Sequence, residues 1–546
     1  MNETFTIIRE DGSEDKVSLK NLIQIPSIDD ASEALNAFYR DIKLEQIEVS
    51  KAYENYIWSS YDKLYNSFAI RFFQYQKILE LCEKAPIDRF DFSSLSSYRR
   101  VSLSRFLGLY YPQAVAVESS NPDFVQRLLE FVTDITLAFY SLFSILFCKL
   151  FHRGKIVIWS GDYLDSRTKF EPRLGDFPLK MKLHSHNFIE CIRTDGVSRK
   201  QTLLNLLKRK RPLIYYNELT RIFLKKKTFE RKLIQVDPGI KELFFIGACR
   251  FINANKAFIL EQERRQRCFE LLYRFLKSKV AVVWFQSSRT SPMILAGRKK
   301  DVKTIGFMHG IVSDKFMGHE YLKELTHLKI GPDVYGVWSS YWYQEFLDKS
   351  ALYNKSNLEV CGSIKPLSSK VALDQRSSAR RVVFVAETHL DPEELVPYLK
   401  AFSRLGSMSM ALKIRPFGTD KFYQRLLSEY PKLLKEVDIV ALPVEEAFSP
   451  SDLVVGSHST VLLEAARMGI SVLFINTKKW GDFFNLTHQG EYSTIFCQNS
   501  DNISEELVDN CYCARDQLLV GFVERMFGSG SLNGAPWLTD KCRSML

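Results

Sequence analysis

From Lys155 onward, short β-branched and aromatic runs end in glycine or polar residues and alternate with amphipathic stretches. KIVIWSG, RPLIYYNE, KVAVVWFQ and KTIGFMHG form one series. PDVYGVWS, LEVCGS, RRVVFVAE, MALKIRP, VDIVALP, LVVGS, SVLFIN and STIFCQ form a second, mostly spaced to leave room for one helix, such as Asp391 to Gly406. Apolar strands closed by polar turns and separated by helices predict parallel sheets wrapped on both faces.

The first 150 residues read differently. Tyr, Phe and Leu recur at helical spacing from Ser50 to Lys84, which predicts a mainly helical region with an aromatic core. Between LEVCGS and RRVVFVAE the chain is serine-rich and weakly patterned, and residues 366–379 are the natural linker. The expected organisation is a helical region at 1–150, part of or packed on the first domain, then Rossmann-like domains at 151–365 and 380–546. The fold class is therefore α/β, with two doubly wound domains facing a cleft and a helical amino-terminal extension. Open α/β sheets bind ligands at the carboxyl ends of their strands, so polar residues there are the candidates for function.

A chain of 546 residues, 46% of them hydrophobic, can fill two cores. The net charge of +11 is moderate, but basic residues gather between Lys208 and Lys232. Such a cluster suits anionic lipid or a phosphorylated acceptor, against the plainer reading of a solvated helix face. No nucleic-acid-binding signature accompanies it, and nucleic acid is not expected as a partner. Ten cysteines without a CxxC pair fit a reduced compartment, and the polar start MNETFTIIREDGSEDKVS has no signal-peptide core. A cytoplasmic protein is expected, with peripheral attachment to the inner face of the membrane as an option. The fourteen apolar residues Ile135 to Cys148 fall short of the roughly 20 that a spanning helix needs. They predict a buried core helix, with an interfacial helix as the alternative.

In LVVGSHSTVLLEAARMG, a strand runs into a turn of Gly456, Ser457, His458, Ser459 and Thr460 that opens a helix. Hydroxyls and successive N–H groups at a helix amino terminus suit a phosphate, although one serine could simply cap the helix. Glu464 follows Thr460 by one turn on the same face, placed for a ribose diol or merely for solvent. His309 and Gly310 end another strand, where the imidazole could serve as a base. Lys413 and Arg415 end a third, spaced to share a side and to neutralise a diphosphate or sugar carboxylate. Asp162, with Asp165 and Arg167 close by, could deprotonate an acceptor, against the alternative of a turn-forming Gly-Asp. No Asp-x-Asp stands at a suitable strand end and the histidines do not pair at ligand spacing, so no metal and no cofactor is expected.

The His-Gly strand end, PDVYGVWS, LEVCGS, ALKIRP and GSHSTVLLEAARMGISVLF occur in this order in a broad group of GT-B glycosyltransferases, which the chain resembles from about Lys279 to Asn476. The group includes bacterial capsule and lipopolysaccharide transferases, polysialyltransferases and CDP-glycerol glycerophosphotransferases. The resemblance implies donor-phosphate contacts at Ser457, Ser459 and Thr460, a ribose contact at Glu464 and a role for His309. Where the group commonly has His-Pro, this chain has Arg415-Pro416, and arginine does not readily act as an acid or base.

The implied activity moves a sugar from a nucleotide-activated donor, a CMP-activated acidic sugar such as Kdo or sialic acid among them, to a lipid-linked or oligosaccharide acceptor of a growing surface polysaccharide. A CDP-polyol phosphotransferase of teichoic-acid type would use the same cleft. A non-catalytic assembly component and a nucleotide-sugar epimerase are further alternatives.

Overall fold

The computed structural model describes residues 4–41, 55–58, 61–115, 124–151, 153–165, 168–181, 187–194, 198–209, 211–225, 233–234, 242–284, 287, 289–311, 330–350, 352–365, 380–387, 390–415, 421–488, 490–514, 518–529 and 533–546. The expected linker 366–379, together with Arg167, Pro416 and much of the basic cluster, lies outside them.

Two parallel sheets carry the chain. The first holds β4 (Ile156–Gly161), β5 (Phe188–Arg193), β6 (Leu213–Tyr215), β7 (Val280–Val282), β8 (Lys303–Phe307), β9 (Val334–Val337) and β10 (Leu358–Val360). Its spatial order is β6-β5-β4-β7-β8-β9-β10, every neighbour parallel. The second holds β11 (Arg381–Val385), β12 (Ser409–Lys413), β13 (Val437–Val440), β14 (Asp452–Gly456), β15 (Ser471–Ile475) and β16 (Phe496–Cys497), in the order β13-β12-β11-β14-β15-β16. Each sheet starts in its middle, winds to one edge, then restarts beside its first strand and winds to the other. This is the doubly wound Rossmann order, and it puts a crevice between β4 and β7 in one sheet and between β11 and β14 in the other. Strands covered on both faces read as unbroken apolar runs, as IVIW in β4 and LVVG in β14 do, buried throughout. FIECIR escapes that pattern because Glu190 sits inside β5, buried against Arg209 and Arg211.

The amino-terminal region is not helical throughout. β1 (Thr4–Arg9), β2 (Glu14–Ser18) and β3 (Ile87–Asp91) form an antiparallel sheet in the order β2-β1-β3. β1 alternates buried and half-buried positions with the period of two that one covered face requires. The turn after it uses Gly12 at φ +82°, a conformation glycine adopts without strain. Beyond the sheet, helical aromatics build the expected core, with Phe68 and Phe72 meeting Phe244. This region also reaches the second domain. Ile28 N–H donates to the Lys479 carbonyl at 3.0 Å, and Arg99 pairs with Glu393 at 3.2 Å.

Residues Phe124–Leu150 form one helix that belongs to the first sheet. It covers the open edge at β6, where the Tyr215 and Leu213 N–H groups donate to the hydroxyls of Ser141 (2.9 Å) and Ser144 (3.4 Å). The expectation of a buried core helix at Ile135–Cys148 is corrected twice. The helix has 27 residues, and only a third of its apolar stretch Leu128–Leu150 is buried.

At the other end of the chain, helix Gly534–Ser544 leaves the second domain and packs on the first, where Ala535, Leu538 and Cys542 join the β4 and β7 core. The second domain therefore does not run to residue 546. Gly534 lies where a Cβ would meet Ile364 Cδ1 at 2.6 Å, and Gly175, at φ +50°, where one would meet the Ile364 carbonyl at 2.0 Å. Glycine at both positions lets three segments meet at the crossing between domains.

Candidate functional site

The two crevices open into one cleft of about 620 Å³, lined from the first domain by Tyr163, Glu171, Arg173 and His309 and from the second by Glu387, Lys413, Arg415, Thr460, Glu464 and Arg467. The walls come close: a Cβ built on Gly310 would lie 3.9 Å from Thr460 Cγ2. His309 and the turn before Thr460 thus stand opposite each other.

That turn is already occupied by an anion from within the chain. Glu387 follows β11, and its carboxylate accepts from the N–H groups of Ser457 (3.1 Å to each oxygen), His458 (2.8 Å) and Ser459 (2.6 Å), and from the Ser457 hydroxyl (2.6 Å). The helix amino terminus and its aligned N–H groups favour negative charge, and here a carboxylate supplies it. Burial opposes ionisation, but His458 and hydrogen bonds from His458 and Ser457 hold the Glu387 carboxyl below its usual range. The Ser457 hydroxyl gives its only proton to Glu387 and so accepts from His458 Nδ1 at 2.8 Å. The other face of the imidazole stacks on Trp480 at 4.1 Å. A Cβ on Gly456 would lie 3.3 Å from Glu387 Oε1, so glycine leaves room for the carboxylate.

The sequence reading gave these donors to an external phosphate, and this is corrected. Ser457 and His458 serve Glu387, and Ser459 caps the helix through its hydroxyl, which accepts from Val461 N–H at 3.2 Å. Thr460 opens the helix and lines the cleft beside His458 and Ser459. Helix Thr460–Arg467 carries Thr460, Glu464 and Arg467 at spacings of four and three, so one face points all three into the cleft. Glu464 is paired there with Lys365 at 3.2 Å. Burial pulls the Arg467 guanidinium down to about 10, with Glu464 opposing, and it stacks over Phe527 at 4.5 Å. Lys413, buried at the end of β12, donates to the Ile414 carbonyl at 2.7 Å, and Arg415 is exposed beyond it.

On the opposite wall the expected base Asp162 is not among the cleft residues. Its carboxylate is buried beside Arg209 at 3.3 Å, and burial pushes it up to about 6 against that guanidinium. Arg209 also donates to the Gly161 and Tyr163 carbonyls and to Glu190, fixing the loop that follows β4. Arg209 and the largely buried Arg211, which stacks over Phe170 at 3.6 Å, are internal rather than part of a solvated basic face.

The cleft carboxyl from this loop is Glu171. Its Oε1 accepts from Arg173 at 2.9 Å, while Oε2 lies 2.8 Å from the position of a Cβ on Gly161 and has no hydrogen-bond partner among the described residues. Burial raises it to about 7, outweighing Arg173. Arg173 stacks over Trp284 at 4.5 Å, and Trp284 meets the His309 ring at 5.8 Å. Burial first, and then Arg173, hold the His309 imidazole well below the ordinary histidine range, so it is neutral near pH 7.

Sequence reasoning missed Glu387, Glu171, Arg173 and Arg467. Two had readable signals. Glu387 ends the run RRVVFVAE at a strand terminus, and Arg467 stands seven residues from Thr460 on the same helix face. Glu171 and Arg173 sit in an irregular loop with no periodicity to read.

No protein-family model and no curated protein matches the chain. Among solved structures it is similar to UDP-GlcNAc 2-epimerase from Neisseria meningitidis bound to UDP-GlcNAc, at 11% identity over 71% of this chain and 99% of that one, TM-score 0.43. It is likewise similar to sucrose-phosphate synthase from Thermosynechococcus elongatus, at 12% identity over 72% and 99%, TM-score 0.42. At scores this low the fold rests on the strand order alone: an α/β chain of two Rossmann-like domains facing a cleft.

Proposed function

We propose that the chain is a nucleotide-sugar-dependent glycosyltransferase, binding its donor on the second domain and its acceptor on the first. The observation that supports this best is the pairing of two Rossmann crevices across one cleft, with a helix amino terminus facing His309. Glu387 fills the turn, so the donor phosphates belong one residue further on, at Thr460, with Arg467, Lys413 and Arg415 supplying positive charge. Glu464 would take the ribose after releasing Lys365. The neutral imidazole of His309 can accept the acceptor's proton, and Arg173 beside it favours a group that becomes negative. In this reading these cations take the place of a metal, and no cofactor is needed. The finer proposal remains transfer from a donor such as a CMP-activated acidic sugar to a lipid-linked or oligosaccharide acceptor of a bacterial surface polysaccharide. A CDP-polyol donor is the rival.

Calorimetric titration with UDP, CDP, CMP and GDP tests the donor side. Thr460→Ala and Arg467→Gln should each weaken the best nucleotide by about 1.5–3 kcal/mol, the range for a hydrogen bond to a charged group. His309→Ala should keep that affinity and lose about 10²–10⁴-fold in turnover at saturating donor. Unchanged affinity in both donor-side variants would reject Thr460 as the phosphate site.

A further inference from the structure

The edge helix Phe124–Leu150 presents two unlike faces. Its inner face carries Asp134, Leu137, Ser141, Ser144 and Cys148, all buried, and Asp134 is paired with Arg199 and Arg221. These contacts tie the helix along its length to β6 and its neighbours, so although it is long and apolar enough to cross a bilayer, it cannot leave the domain to do so. The outer face is a straight stripe of Val132, Thr136, Phe139, Phe143, Leu146 and Leu150, each three or four residues from the next. Phe143 is 66% exposed and Leu150 75%.

The polar groups of that stripe are already satisfied inside the helix. Thr136 donates its hydroxyl proton to the Val132 carbonyl at 2.9 Å, as neighbouring Thr133 does to Leu129 at 2.8 Å. A hydroxyl satisfied within its own helix is compatible with a medium that offers no hydrogen bonds.

Charge identifies the occupant. At the carboxyl end of the stripe the Lys149 ammonium donates to the Phe275 carbonyl at 2.8 Å, which sets the exposed Leu150 and Phe151 beside the helix Lys256–Leu276, where Leu271 and Phe275 are exposed as well. Around these apolar tips stand Arg153, Lys155, Arg274, Lys277 and Lys279, and neither Phe147–Lys155 nor Leu271–Lys279 contains an acidic residue. Arg153 lies over the rings of Phe147 and Phe151 at 5.0 and 5.4 Å, with an apolar underside and a charged rim. A lipid surface with anionic headgroups matches both halves of this patch, whereas a second copy would bring the same cations against each other.

We propose that the protein docks on anionic membranes through this outer face, the helix lying in the interface plane. The inference deepens the acceptor half of the proposed function. Because Ser141 faces Tyr215 and Ser144 faces Leu213, the helix runs antiparallel to β6. Its amino end lies toward the strand ends that form the cleft, and a lipid-borne acceptor would approach from that side.

The full chain is to be sedimented with vesicles of phosphatidylcholine alone and of phosphatidylcholine mixed with phosphatidylglycerol. The parent should partition to the mixed vesicles, and Phe143→Glu with Leu146→Glu should abolish this while leaving the unfolding transition and nucleotide affinity at parent values. Arg274→Gln, Lys277→Gln and Lys279→Gln together should weaken partitioning by about fivefold per cation at low salt and flatten its salt dependence. A parent that stays in the supernatant with both vesicle types overturns the proposal. So does a parent dimer that the paired glutamates convert to monomer, which would assign the stripe to a second copy. The nucleotide titration on the same samples separates this failure from a failure of the donor site.

Discussion

Glu387 and Glu171 occupy comparable places: each is a buried carboxyl in the loop after the first strand of its sheet, at the crevice where the strand order reverses. Their surroundings drive them apart. Glu387 meets three N–H groups and a hydroxyl and is held ionised. Glu171 meets one guanidinium, keeps one oxygen without a partner among the described residues, and is raised by burial to about 7. The same side chain is a fixed structural anion in one sheet and a titrating group in the other. The count of donors aimed at a carboxylate, more than its burial, decides which.

The sharpest way to break that comparison is Glu387→Ala. It leaves three inward-facing N–H groups without an acceptor and should cost about 3–5 kcal/mol in denaturant unfolding, as loss of one partner of a buried charged cluster does. A loss below about 1 kcal/mol would mean that water or another group replaces the carboxylate readily. Glu171→Gln should act with the opposite sign. The carboxyl of Glu171 titrates near 7 in the native protein against 4.5 ordinarily, so the native state holds its proton more tightly. Its contribution to stability therefore falls as pH rises from about 4.5 to 7 and stays low above that. Relative to the parent, Glu171→Gln should gain up to about 3 kcal/mol across this window, read as the difference between unfolding curves at acid and alkaline pH. A constant difference would remove the contrast with Glu387, whose contribution is present above the ordinary carboxyl range and fades as pH falls below it. The smallest effect is expected from Lys365→Ala. The Lys365–Glu464 pair is partly exposed and contributes within about 1 kcal/mol. Freed of it, Glu464 should bind a nucleoside diphosphate slightly more tightly than in the parent, and weaker binding would show that Lys365 itself touches the ligand.

The fold was legible wherever burial on both faces forced continuous apolar runs, as in KIVIWSG and LVVGS. It was not legible where a charge entered a strand, as Glu190 does in β5, because only the folded state brings Arg209 and Arg211 to meet it. The hairpin of β1 and β2 carries little strand signal because its second strand, EDKVS, is largely exposed and polar. The turn at Ser457–Thr460 is legible as a concentration of donors, but its occupant comes from a residue seventy positions away, which spacing along the chain cannot reveal. Asp162 misled for a related reason: a carboxylate at a strand end suits a catalytic base equally well until a buried guanidinium is found beside it.

The return of helix Gly534–Ser544 to the first domain bears on modularity. Because the polypeptide crosses between the sheets twice, once after Ile364 and again before Gly534, the second domain is an insertion rather than a tail. Exchanging it for the corresponding half of another protein would require two junctions, and a truncation at the first crossing would strip Ala535, Leu538 and Cys542 from the core of the domain left behind. Any recombination that preserves both halves must therefore cut at paired positions, and a single fusion point anywhere between residues 366 and 533 would leave one half incomplete.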